Sequence, residues 1–304
     1  METNSKKYLI SIIGALLIWS TSFIGTKIAY ATFPPITLGA ARFIIASVVL
    51  GILVVIKKEF IKPRPKDLGL IAISGILGIT LYFTMENVGV KLTTASNAAL
   101  IVASYPVITV LLEWLIYKER LTNYKIAGIL LAIGGVYLLS YVEHGTYEKN
   151  QLAGNLILVA TGIVWAFYNF ATRKVVNKYP AITLSLYQTL AGTICFIPLA
   201  FIEMDLWRPP TTMSLSALIY LGVLCSVAAF LFYNFGLRKL SAYTAVSLMN
   251  LVPIFGVIFS ILILHESVSL RQFIGGAIVI IGVIFSVKQP KSISISQEVY
   301  HETD

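Results

Sequence analysis

The sequence predicts an all-α integral membrane protein, with ten transmembrane helices arranged as two inverted five-helix repeats around a central cavity. Three observations carry this expectation. Of the 304 residues, 57% are hydrophobic and 12% charged, with a mean hydropathy of +0.84; a soluble domain carries about 25% charged residues. Globular burial cannot hide that much apolar surface, so lipid must cover part of it. Apolar runs recur along the chain at spanning length, and their Trp, Asn, Pro and Glu residues recur at nearly constant spacing.

The runs fall at about 8–29, 36–56, 68–85, 93–117, 124–142, 153–172, 181–202, 215–236, 242–264 and 271–287. Most hold the roughly 20 residues that a helix needs to cross a hydrocarbon core. Strand alternation is missing, which disfavours a barrel. The first run, "KKYLISIIGALLIWSTSFIGTKIAYA", has the basic start and small-residue end of a secretory signal. Its body is long for a signal, and its features recur further along the chain. We read it as a retained span.

The recurrence is numerical. Pro106 and Pro253 lie 147 residues apart, as do Glu119 and Glu266, Gly128 and Gly275, and Gly135 and Gly282. "NVGVK" from Asn87 meets "NFGLR" from Asn234 at the same offset. Upstream the offset is 146: Trp19 meets Trp165, and "FPPITL" from Phe33 meets "YPAITL" from Tyr179. One inserted residue reconciles the two values. The chain therefore divides into a first repeat over 8–142, an external linker over 143–151, a second repeat over 152–288 and a polar cytoplasmic tail over 289–304.

A unit with an odd number of spans enters the membrane from the opposite side when repeated. Charge agrees. With the N-terminus inside, the cytoplasmic segments and tails hold 17 of the 23 Lys and Arg, the external segments five, and Arg42 lies within a span. That is the positive-inside pattern, and it accounts for the net charge of +9 without a nucleic-acid partner. Inverted repeats with sites near the midplane are the architecture of many secondary transporters.

The ten spans, the Trp in each half's first helix, Arg42 and the run "NVGVKLTTASNAALIVASYPVITVLLEWLIYKERLT" together resemble the EamA-type branch of the drug/metabolite transporter superfamily. The resemblance covers about residues 8 to 288. It implies a basket of ten helices around a central cavity, alternating access, and movement of small metabolites, with export as the implied direction.

Candidate site residues follow from depth and chemistry. Arg42 stands in the second span, and an intramembrane charge costs at least about 2.5–3.5 kcal/mol on insertion scales, so it should face protein or a wet cavity. Its planar fork suits a substrate carboxylate or phosphate; the alternative is a bond to loop carbonyls near the outer face. Its repeat partner is Gln188. Trp19, Tyr82, Trp165 and Tyr187, with Asn97 and Asn250, offer aromatic faces and amides to an amphipathic solute, core packing being the alternative for each. Pro106 and Pro253 each remove a backbone donor and shape either a gate or merely a kink.

Glu113 reads as the one carboxylate well inside a span, paired with a cation such as Lys118 or Arg120, the alternative being a proton or cation site. Glu119 and Glu266 end their helices, where the dipole disfavours them, so each should hold backbone donors or basic residues at a turn. Thr122 and Ser269 suit the N-caps that follow, and "SLRQ" from Ser269 has capping-box form. The glycines at 128, 135, 275 and 282 admit a close helix, within the chain or in a homodimer.

The residues point away from catalysis. His144, His265 and His301 lie outside the spans, "HESVS" is not a metal-binding HExxH, and no P-loop or GxSxG occurs. Cys195 and Cys225 read as small hydrophobes. No cofactor or metal is expected. The expected partners are a small-molecule substrate and the bilayer of the plasma membrane, with both termini cytoplasmic. A flippase of a lipid-linked carrier is the alternative reading.

The topology is directly testable. In a background lacking Cys195 and Cys225, Gly145→Cys and Leu206→Cys should react with an impermeant thiol reagent outside intact cells, and Lys62→Cys should not. The reverse pattern would overturn the inverted ten-span model.

Overall fold

The computed structural model describes residues 2–118, 121–140, 148–237, 248 and 251–287. Helix is the regular structure throughout, and no strand occurs among the described residues. Seven helical stretches are long and apolar enough to cross a membrane: Lys6–Ala29, Pro35–Lys57, Pro65–Leu92, Ala95–Tyr117, Asn150–Arg173, Ala181–Leu206 and Thr212–Tyr233. Three shorter apolar helices, Asn123–Leu139, Leu251–Leu264 and Leu270–Ser286, accompany them.

The first stretch is two helices, α1 (Glu2–Ser20) and α2 (Ser22–Ala29). Ser20, Thr21 and Ser22 cause the break, because their hydroxyls donate back to the carbonyls of Leu17, Ile18 and Trp19. Helix α3 (Pro35–Lys57) starts on a proline whose fixed φ suits a first turn. It ends at Lys58 in the left-handed region, with φ 53°. On α3, Ala46, Leu50 and Val54 are buried while Val48, Ile52 and Val55 are exposed. Apolar residues on both faces are the mark of a helix with protein on one side and lipid on the other.

The third stretch differs from the expected 68–85. It begins as α4 (Pro65–Gly75), widens into a π-helical segment at Ile76–Leu81, and continues as α5 (Tyr82–Leu92). Glu86 and Asn87, which the shorter boundary left outside, are therefore inside a span. A second π-helical segment, Tyr220–Ala228, lies between α11 (Thr212–Ile219) and α12 (Ala229–Leu237). The two occupy matching places under the 146–147 offset. Such wide turns often mark functional positions.

The fourth run, expected as one helix over 93–117, is likewise broken. Helix α6 (Ala95–Val102) gives way at Ala103 and Ser104 to α7 (Tyr105–Tyr117), with Pro106 in the first turn of α7. A proline there lacks only a donor that the helix start would leave unused. The chain continues through α8 (Asn123–Ser140), α9 (Glu148–Arg173) and α10 (Ala181–Ala200), and closes with α13 (Leu251–Leu264) and α14 (Leu270–Val287). Lys118 and His265, which are 147 apart, end α7 and α13 with φ of 54° and 53°.

Two expected caps are present. Thr122 Oγ1 accepts from Lys125 N, and Ser269 and Gln272 exchange the reciprocal bonds of a capping box. Glu266 holds backbone donors, but on the other half of the chain. Its carboxylate accepts from Ala95 N, Ser96 N and Ser96 Oγ at 2.6–2.9 Å. A negative charge at the N-terminus of α6 is favourable, which accounts for Glu266 at a place its own helix disfavours. Glu119 lies outside the described residues. Glu113 pairs with Arg173 of α9 at 2.6 Å rather than with Lys118; Arg120 lies outside the described residues.

Glycine sets the closest approaches. A Cβ on Gly128 would lie 2.5 Å from the carbonyl oxygen of Gly282, and one on Gly135 would lie 2.7 Å from that of Gly275. The four expected glycines thus face one another within the chain, between α8 and α14. Two further glycines join the halves. Gly75 of α4 seats against the carbonyl of Gln188 on α10, and Gly222 of the second π segment against that of Arg42 on α3. Gly75 and Gly222 are 147 apart.

Gly128→Ala should lower the thermal stability of the purified protein. The overpacking costs about 1–3 kcal/mol, against a helix-propensity gain of about 1 kcal/mol. Gly134→Ala, with nothing within 4 Å of its Cβ, should be neutral or stabilising. Equal melting behaviour of the two variants would refute this account of the α8–α14 contact.

Candidate functional site

Arg42 lies on α3 just beyond its first two turns and is 5% exposed. Its Nε donates to Ser226 Oγ at 2.7 Å, in the second π segment. Ser226 is available there because the wide turn lets its own hydroxyl bond the carbonyl of Leu221, five residues back. The guanidinium stacks over the ring of Phe83 at 4.6 Å and near that of Phe43 at 5.5 Å. Cation–π contact of this kind offsets part of the cost of desolvating the charge. Among the described residues the two terminal nitrogens have no hydrogen-bond or ion-pair partner. The loop-carbonyl alternative is therefore not what holds Arg42.

Beside Arg42 stands Glu86 on α5, 9% exposed, whose Oε1 accepts from the Tyr82 hydroxyl at 2.8 Å. The charge of Arg42 reaches it through space, without ion-pair contact. Tyr82 continues an aromatic wall: its ring lies 4.8 Å from Phe83, 5.2 Å from Trp165 and 6.3 Å from Tyr105. Trp165 in turn lies 5.0 Å from Tyr168. Gly78 of the first π segment makes room for Tyr168, since a Cβ there would come within 2.4 Å of that ring. Tyr105 is fixed by a bond from its hydroxyl to Leu158 O at 2.9 Å.

A cavity of about 430 Å³ lies at the end of the bundle where α2 and α5 finish, lined by Lys27, Ile28, Tyr30, Ala31, Lys91 and Met213. Tyr30 faces it on one side and reaches inward on the other, donating to Asn87 O at 2.5 Å. Lys91 stands 5.0 Å over the Tyr30 ring, and Lys27 donates to Thr93 O. Positive charge thus collects at this mouth.

The structure brings together Arg42, Tyr82 and Trp165 of the expected site. Trp19 donates from Nε1 to Cys225 O at 3.1 Å, one residue before the Ser226 that Arg42 bonds, and packs on Phe230 and Tyr233. Gln188 donates to Ser74 Oγ at 2.8 Å and Thr172 Oγ1 at 3.1 Å. Tyr187 packs towards Phe60 at the end of the bundle. Asn97 is fully buried in a knot with Thr93, Asn155 and the carbonyl of Leu139. Pro253 is buried in α13, and Asn250 lies outside the described residues. Sequence reasoning missed Glu86, and its signal was "ENVGVK": a carboxylate directly before the repeated Asn.

The chain belongs to the EamA-like transporter family, whose model matches residues 6–141 and again 152–288. It is a multi-pass membrane protein and a transporter. A relative in Archaeoglobus fulgidus, described as an uncharacterized transporter, is 32% identical over 92% of this chain and 96% of its own. A probable terminal-alkyne amino-acid exporter of Streptantibioticus cattleyicolor is 26% identical over 90% of this chain and 91% of its own. One solved crystal structure superposes with a TM-score of 0.63 at 22% identity, covering 92% of this chain and 97% of that one. At that identity the likeness is one of fold.

Asn97 can be assigned by separating stability from transport. Asn97→Ala should destabilise the protein by about 1–3 kcal/mol, because Thr93 and Asn155 lose a buried partner. Substrate affinity of the folded fraction should be unchanged. Weaker affinity without a lowered melting temperature would return Asn97 to the substrate site.

Proposed function

We propose that the protein is a secondary transporter of the plasma membrane that exports small organic metabolites, amino acids first among them, by alternating access. In this reading ten helices form two inverted five-helix repeats, 8–142 and 152–288, around a central cavity with both termini cytoplasmic. The observation that carries it is Arg42, a guanidinium inside an apolar span, anchored only at Nε. Terminal nitrogens left unpartnered in such surroundings are an expensive arrangement unless a ligand supplies the missing acceptors. A carboxylate fits that fork in two parallel bonds. Tyr82 and Trp165 offer rings to the apolar part of the solute.

Support for two inverted halves comes from the odd number of spans per repeat and from the paired contacts Gly75–Gln188 and Gly222–Arg42. Helices interrupted at matching places in two halves are characteristic of transporters that rock around a midplane site. The relative described as an amino-acid exporter supports both the solute class and the direction.

The test is purified protein in sealed vesicles, given a panel of amino acids, nucleosides, organic cations and a labelled lipid carrier. Wild type should move amino acids. Arg42→Gln should fold, yet lose transport by roughly ten-fold or more, the worth of a charged hydrogen bond at about 1.5–3 kcal/mol. Arg42→Lys should not restore it, since a point charge cannot form the paired bonds. Lipid movement with no solute transport would replace this reading by the flippase.

A further inference from the structure

Glu86 is a carboxyl group in an apolar span that its surroundings only half satisfy. Oε1 accepts from Tyr82, and Oε2 makes no hydrogen bond among the described residues and borders accessible space. The nearest cation, Arg42, is engaged with Ser226 and Phe83 and makes no ion pair with it. An ionised carboxylate left this way is costly in a low-dielectric site, whereas protonation removes the charge and turns Oε2 into a donor.

The groups around it are compatible with a proton path. Tyr82 is on its own helix, Arg42 comes from α3, Tyr105 from α7, and Tyr30 from the end of α2; the three tyrosines all feel the charge of Glu86. Tyr30 also feels Glu203 and Arg42, and it carries Lys91 over its ring. Tyr30 lines the 430 Å³ cavity and bonds to the residue next to Glu86. A hydroxyl therefore stands between the open mouth and the buried carboxyl.

We propose that Glu86 is a proton-carrying residue of the transport cycle, binding a proton at Oε2 on one side of the membrane and releasing it on the other. The step forms and breaks only an O–H bond, and the imposed proton gradient drives it. Gating of transport by protons rests on the function proposed above; the proton site itself does not. Because Glu86 lies beside Arg42, the same change in occupancy alters the field at the guanidinium, and so its hold on an anionic group. That coupling links proton movement to solute movement.

Two measurements test it. Infrared difference spectra of the purified protein in lipid should contain a protonated-carboxyl stretch that disappears as pH rises. The band should be absent in Glu86→Gln, and its midpoint should move in Tyr82→Phe, which keeps the carboxyl but removes its donor. In sealed vesicles, Glu86→Gln should lower accumulation driven by a pH gradient by roughly ten-fold or more beyond any change it makes to solute exchange without a gradient. A band that persists in Glu86→Gln, or pH-driven accumulation that survives the substitution, would overturn the proposal. Wild-type protein with the titrating band but no solute exchange would refute the transport reading and leave the proton site standing.

Discussion

In hydrocarbon no water repairs an unmade hydrogen bond, so a polar group inside the bundle is stabilised when it finds a partner in protein. The helices are arranged around such partners. Glu266 crosses to the start of α6 to accept from two backbone amides and a serine. Trp19 and Arg42 both bond into the second π segment, at Cys225 O and Ser226 Oγ. Thr80 of the first π segment reaches Gly192 O on α10. Each bond joins elements far apart in sequence, so satisfaction of polar groups and assembly of the two halves are one process.

Small residues make those bonds reachable. Helices in lipid gain little from apolar burial against each other, because the tails are as apolar as leucine; close packing replaces it. Gly128 and Gly135 bring α8 onto α14, and Gly75 and Gly222 bring each half against the other beside Gln188 and Arg42. The last two matter most for function. They seat against the backbone carbonyls of residues 188 and 42, whose side chains differ in charge. One scaffold therefore carries two chemically unlike positions, a cation in one half and an amide in the other.

The site itself rests on wide turns. An α-helix would turn Ser226 away from its bond to Leu221 O; the π segment permits it and points the hydroxyl at Arg42. On the other side, Gly78 in the first π segment lets Tyr168 stack beside Trp165. Charged and aromatic groups are thus gathered at two matched irregularities. Irregular backbone at membrane depth is tolerated where it is buried in protein or lines a wet space, and here it supports the Arg42–Glu86 neighbourhood.

Much of this was legible in the chain. Apolar length located the spans, since the bilayer sets one length for all of them. Pro, Gly and Glu kept in phase revealed the repeat, because tight contacts tolerate few residue types. Arg42 stood out, since a lone charge in an apolar run is costly wherever the helix packs. The SLRQ cap was readable because capping is a matter of four adjacent residues. Other features were decided only by tertiary structure. Glu86 fell outside a span whose end was judged by hydropathy, and only packing against α3 and α9 carries α5 on to Leu92. Asn97 read as an amide offered to a solute until three helices closed around it. The partner of Glu113 lies 60 residues away, on α9. Local periodicity and solvent preference are properties of neighbouring residues and survive in the sequence. Which distant groups meet depends on how the helices pack, and no stretch of sequence contains that.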